Sequence, residues 1–174
     1  MNQFPGQRPV PPARTARSGF SSFVRTLAER IHKVEVDRDE KRHREFSSGD
    51  QAMLRRLSPE RDTVPPEAYW RLLPQGETDW SQRAFWYALL PLLVRHPHAE
   101  GTSLGTALAR AGVSEARVER WLRRTARDAR ADAPRLFSRL VTVDWTEAGP
   151  LLRYWRQRDR WRVADDFFST PREQ

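Results

Sequence analysis

Apolar residues three or four positions apart recur along most of this 174-residue chain, while no stretch longer than Leu140 to Val143 alternates apolar and polar side chains. A half-buried strand needs a period of two and a helix a period near 3.6. The pattern therefore predicts an all-α fold with about eight helices and no sheet. A chain of this length buries roughly 70% of the surface its unfolded form exposes, enough to fold without covalent staples.

Residues 1 to 19 carry Pro5, Pro9, Pro11 and Pro12 with three arginines and little to bury, and read as a disordered basic tail. From Phe20 to Phe46 the stripe Phe20, Phe23, Leu27, Ile31 and Val34 predicts one helix whose second half, Asp37 to Glu45, is a solvated charged face. Gly49 breaks that pattern. A short helix follows through Met53, Leu54 and Leu57 and stops near Pro59, and Pro65 and Pro66 suit the first turn of another, carrying Tyr69, Trp70, Leu72 and Leu73. Residues 81 to 95 form the most apolar helix, which Pro91 should kink or end.

In the second half, Ser103 to Ala111 reads as a helix with Gly112 as its stop. Ser114 then caps a helix from Glu115 to about Ala129 with the stripe Val118, Trp121, Leu122 and Thr125. Asp132 with Pro134 opens another through Val141, Asp144 and Trp145 introduce Thr146 to Trp155, and the last runs from about Arg158 to Phe168. Trp70, Trp86, Trp121 and Trp155 lie on apolar stripes and read as core. Trp161, between Arg160 and Arg162, is the least obviously buried.

Cysteine is absent, which excludes disulfide frameworks, thiolate zinc sites and a cysteine nucleophile. The longest apolar stretch, Phe85 to Val94, is interrupted by Pro91, whereas a membrane-spanning helix needs roughly 20 residues. With no apolar run that could serve as a signal peptide, a cytoplasmic protein without membrane contact is expected. The four histidines, His32, His43, His96 and His98, have no setting that would tune them for acid–base work. His96, His98 and Glu100 lack a fourth ligand and read as a solvent-exposed turn, so no metal is expected. Phosphate-loop, dinucleotide and serine-elbow patterns are missing, and Asp165 and Asp166 point about 100° apart on a helix. The chain is expected not to be an enzyme and to need no cofactor.

The net charge is +8, and 29 of the 31 basic residues are arginine. The excess is concentrated between residues 101 and 143, where nine arginines face four acids. A local basic excess points to a polyanion partner, and guanidinium groups suit phosphates. Residues 104 to 124, LGTALARAGVSEARVERWLRR, also read as helix, turn, serine cap and arginine-rich helix, the form of a helix-turn-helix. In that reading Arg117 and Arg120, or Arg123 and Arg124, reach bases. In the plainer one the segment is an αα-hairpin whose Val118, Trp121 and Leu122 face inward.

Beyond these motifs, the blocks GDQAMLRRLS (49 to 58), PPEAYWRLLP (65 to 74), SLGTALARAGVSEARVERWLRR (103 to 124), VDWTEAGPLLRYW (143 to 155) and a closing VADDFFSTP stand in colinear order over residues 47 to 170. This arrangement resembles the CasB family, the small subunit of the type I-E CRISPR surveillance complex Cascade. The resemblance implies two small helical lobes, here 20 to 100 and 101 to 174, and two copies of the chain stacked head to tail beside the backbone and large subunits. It implies a non-catalytic role in antiviral defence. Guide RNA pairing reads the sequence, while the protein binds guide RNA and target DNA backbone and stabilises the R-loop and the displaced non-target single strand. Family basic positions carry over onto Arg55 and Arg56 in LRR, Arg83 after Trp80, Arg117 and Arg123 after the SLG block, and Arg156 and Arg158 after the final block. The tail of residues 1 to 19 and the charged half of 20 to 46 have no counterpart in the family. The alternative reading is a free-standing helix-turn-helix transcription regulator.

Overall fold

The computed structural model describes residues 13–36, 42–61, 64–73 and 82–171, among which nine α-helices account for nearly all regular structure. The all-α class holds. Of the tail expected over residues 1 to 19, residues 1 to 12 lie outside the described residues, and 13 to 19 are the opening turns of α1 (Ala13–His32). Phe20, Val24, Leu27, Ala28 and Ile31 share one side of α1 and are all buried.

The helix expected to run on to Phe46 ends instead at His32. Val34–Val36 (β1) pairs antiparallel with Arg42–Arg44 (β2), Val34 opposite Arg44, which corrects the expectation of no sheet by one three-residue ribbon. Two β-branched valines in alternation favour extended backbone, and the charged residues beyond them offer no apolar stripe to prolong the helix. Phe46 then returns to the core with no exposed surface, and the Arg71 guanidinium lies 4.9 Å from its ring centroid.

Gly49 does not break a helix but lies in the first turn of α2 (Ser48–Arg55). Ser47 and Asp50 bond each other's backbone N–H there in a reciprocal cap. Buried Gln51 donates from Nε2 to the carbonyls of Ile31 and Phe46, tying α2 to the end of α1. α3 (Glu67–Leu72) starts after Pro66. α4 (Arg83–Arg95) is buried continuously from Phe85 to Val94 and forms the centre of the molecule. Pro91 sits inside it without ending it, since the helix continues to Arg95.

α5 (Leu104–Arg110) has Ser103 as its cap and Gly112 at φ +66° just beyond its end, a left-handed conformation that favours glycine. α6 (Glu115–Leu122) is shorter than expected. Thr125, placed on its apolar stripe by the sequence reading, accepts a hydrogen bond from the Asp128 N–H and caps a new helix, α7 (Ala126–Leu136), with Pro134 inside it. A 3-10 turn (Phe137–Arg139) leads on to α8 (Trp145–Tyr154), capped by Asp144, and α9 (Gln157–Ser169) closes the chain. α1 packs along α8, and α5 along α9. One continuous apolar cluster runs from Phe20 in α1 to Phe167 in α9.

Two further expectations are corrected. His96 and His98 are not in a solvent-exposed turn. His98 pairs with Val143 in an isolated parallel bridge, His96 is buried and donates from Nδ1 to the Leu140 carbonyl at 3.0 Å, and His98 Nδ1 accepts from the Trp145 N–H. Trp70 is not core but 47% exposed, whereas Trp145 is buried and donates from Nε1 to the His96 carbonyl.

Candidate nucleic-acid interface

The arginines divide by what their guanidinium groups touch. Among those that hold the fold, three bond carbonyls at or just past the C-terminal ends of α5, α6 and α8. Arg130 donates from Nε to Leu152 O at 2.7 Å and from Nη2 to Arg153 O at 2.8 Å, closing α8, and Arg160 donates to Leu122 O at 2.8 Å, closing α6. Arg139 reaches Gly112 O, just past α5. Burial alone lowers the Arg130 pKa from its ordinary value, a mark of a group held inside the protein. A cation at a helix C-terminus is also favoured by the helix dipole.

A second set faces solvent on α6 and α7. Arg117 and Arg120, at i and i+3, share one face of α6, Arg124 follows in the turn beyond its C-terminal end, and Arg135 of α7 meets them across an open depression of about 200 Å3 floored by Trp121 and Leu136. The one carboxylate there, Asp132, lies 3.3 Å from Arg124, leaving Arg117, Arg120 and Arg135 without a charged or hydrogen-bonding partner among the described residues. Arg123, paired with Glu119 at 3.5 Å, adjoins them across a shallower recess that Arg120 and Arg124 also line. Four guanidiniums around one carboxylate, open to solvent, can donate to phosphate oxygens at little desolvation cost.

Trp121 anchors this face. It is buried, donates from Nε1 to Ala129 O at 2.8 Å, and meets the Trp155 ring edge-on at 4.9 Å. Trp155 in turn donates to Arg124 O and takes φ +47°, a left-handed conformation that a non-glycine residue holds only when its surroundings impose it. The turn between α6 and α7, where the arginines cluster, is thereby fixed by two indoles.

Of the arginines singled out from the sequence, Arg117 and Arg123 lie on this face. Arg156 and Arg158 lie together at the start of α9, lining a groove of about 870 Å3 with Arg162, Glu147, Asp159 and Asp166, where Arg162 is ion-paired to Glu147. Arg55 and Arg56 are exposed at the end of α2, and Arg83 is half-buried at the start of α4 with its guanidinium over Tyr87. These three are not brought into either depression. Trp80, the marker used for Arg83, lies outside the described residues. The set carried over from the family resemblance omitted Arg120, Arg124 and Arg135. The helix-turn-helix reading had named the first two, as base contacts; Arg135 is brought alongside only by the packing of α7 on α6.

Among the described residues no cluster of three or more His, Asp or Glu could hold a metal, and no helix is long and apolar enough to cross a membrane. α5 and α6 do not form a detached reading head: α5 packs along α9, and α6 on α7 and α9.

These features define an all-α protein with a shallow basic face on α6 and α7. No protein-family model and no curated protein matches the chain. Among solved structures, its fold is shared by a chain of the crystal structure of E. coli Cascade bound to a PAM-containing double-stranded DNA target. The two are 24% identical, with a TM-score of 0.64 over 85% of this chain and 97% of that one.

Proposed function

We propose that this chain is the small subunit of a type I-E Cascade, of the CasB family. It is non-catalytic, works in the cytoplasm, and holds nucleic-acid backbone without reading sequence, stabilising the R-loop and the displaced non-target strand. The observation that carries this reading is the fold shared with a chain of E. coli Cascade over 97% of that chain's length. The colinear sequence blocks and the acid-poor arginine face of α6 and α7 support it. Scattered guanidiniums on a shallow surface suit phosphates, which lie along any strand, more than the edges of particular bases.

In this role Arg117 and Arg123, with Arg120, Arg124 and Arg135, form one backbone contact, Arg156 and Arg158 a second, and Arg55, Arg56 and Arg83 further contacts. Residues 20–100 and 101–174 are its two lobes, and its partners are guide RNA, target DNA, the displaced strand, the backbone and large subunits and a second copy of itself. The test is purification of the tagged chain from its host. Recovery in a large particle with a short guide RNA is expected. Recovery as a lone dimer that selects a consensus duplex from a random pool would replace this reading with a helix-turn-helix regulator.

A further inference from the structure

Three buried tryptophans, Trp121, Trp145 and Trp155, donate their indole N–H to backbone carbonyls and so belong to the frame. Trp161 is the opposite case. It is 64% exposed in the middle of α9, and among the described residues its ring meets no other ring or guanidinium and its N–H makes no hydrogen bond. A tryptophan so placed gives nothing to the core and leaves a large aromatic face in water.

Its neighbours give that face a chemistry. Arg158 lies one turn earlier, at i−3, exposed and without a charged partner among the described residues, and Arg156, just before α9, is exposed with its guanidinium 5.0 Å from the Tyr154 ring. Asp165 lies one turn later and Phe168, 49% exposed, two turns later, so the positive end of the stripe is the one at the start of α9. A flat aromatic face beside exposed guanidiniums is the combination that holds single-stranded nucleic acid, the ring stacking on a base and the cations on phosphates. A duplex keeps its base faces covered and could not use the ring.

We propose that Trp161 is a stacking platform for one base of a single strand whose adjoining phosphates rest on Arg156 and Arg158. This deepens the strand-holding role proposed above and rests on it. The experiment is titration of the full-length chain with a single-stranded DNA and with an abasic strand of the same length, for the wild type, Trp161→Leu and Trp161→Phe. The wild type should bind the normal strand about tenfold more tightly than the abasic one, within what one base stacked on an aromatic ring contributes. Trp161→Leu should remove that preference and Trp161→Phe should keep part of it. An equal preference in wild type and Trp161→Leu would overturn the stacking role and leave backbone holding intact. Loss of the multi-subunit particle on Trp161→Leu with strand preference unchanged would also overturn it, making the indole a protein contact. Failure of the wild type to bind either strand at low salt would defeat the strand-holding role itself.

Discussion

The carbonyl oxygen of Val163 stands 2.3 Å from the position a Cβ on Gly105 would occupy. α5 lies so close to α9 that the only side chain accommodated at this crossing is a hydrogen atom, and the obstructing atoms include the α9 backbone at Val163 and Phe167. A flexible side chain could turn away; a helix backbone cannot. Gly105→Ala should therefore force the two helices apart and cost about 3 kcal/mol, the upper end of what overpacking usually brings. A urea-unfolding midpoint within error of the wild type would refute this packing. Gly149→Ala, facing the Val24 side chain at 2.9 Å, should be milder because a methyl group has more room to give.

Trp121→Ala should destabilise the chain by about 3 to 5 kcal/mol, because it removes a buried indole and its contacts with Trp155 and Phe137. Trp121→Phe keeps a ring but leaves the Ala129 carbonyl without its donor, and should cost about 1 to 3 kcal/mol. Thermal unfolding of the two variants should rank them in that order.

Charge removal should separate the two kinds of arginine. Replacing Arg117, Arg120 and Arg135 together by glutamine should lower affinity for single-stranded DNA equally across unrelated sequences. It should also reduce the log–log salt slope by about 2, from roughly 0.7 per phosphate contact. Helix content by circular dichroism should not change. If the triple variant unfolds, these side chains are supports and the face is not a binding surface.

Arg130→Gln should do the reverse. Its guanidinium closes the end of α8 with two hydrogen bonds and lies over the Phe85 ring at 5.3 Å. Its loss should cost about 2 to 3 kcal/mol of stability, given the usual worth of charged hydrogen bonds, while strand affinity measured below the unfolding transition stays within twofold of the wild type.

His96 should give the fold a pH dependence near neutrality. Burial holds its imidazole below the ordinary 6.5, against the raising effect of its bond to Leu140. Since a carbonyl can only accept, Nδ1 carries the proton, and Nε2 is buried with no partner to receive a second one. Below pH 6.5 the unfolded chain takes up a proton here that the folded chain refuses, so stability falls as pH drops toward the depressed folded value. Above 6.5 both states are neutral and the site adds no slope. The unfolding midpoint of the wild type should fall between pH 7.5 and 5.5 more steeply than that of His96→Gln; parallel curves would show that the ring is accessible to protons.

Local periodicity was enough to write the all-α class, the stop at Gly112 and Asp144 at the head of α8, because each depends on residues within one or two helical turns; the Ser114 hydroxyl expected to cap α6 makes no such bond. The excess of arginine in residues 101 to 143 was equally plain. The end of α1 at His32 was not, since Val34 fits the helical spacing yet opens the ribbon with β2, whose partner Arg44 lies ten residues on. Nor was the burial of His96 and His98, which is created by pairing with a segment 44 residues or more away. The division of the arginines lay furthest from the sequence. Arg117 and Arg130 are alike in composition and helical setting, but the carbonyls that occupy Arg130 lie 22 and 23 residues along the chain. A helical repeat is determined by neighbours a few residues apart, so the sequence carries it. Whether a guanidinium is a staple or a free cation depends on which helix end packs beside it, and only the tertiary structure decides that.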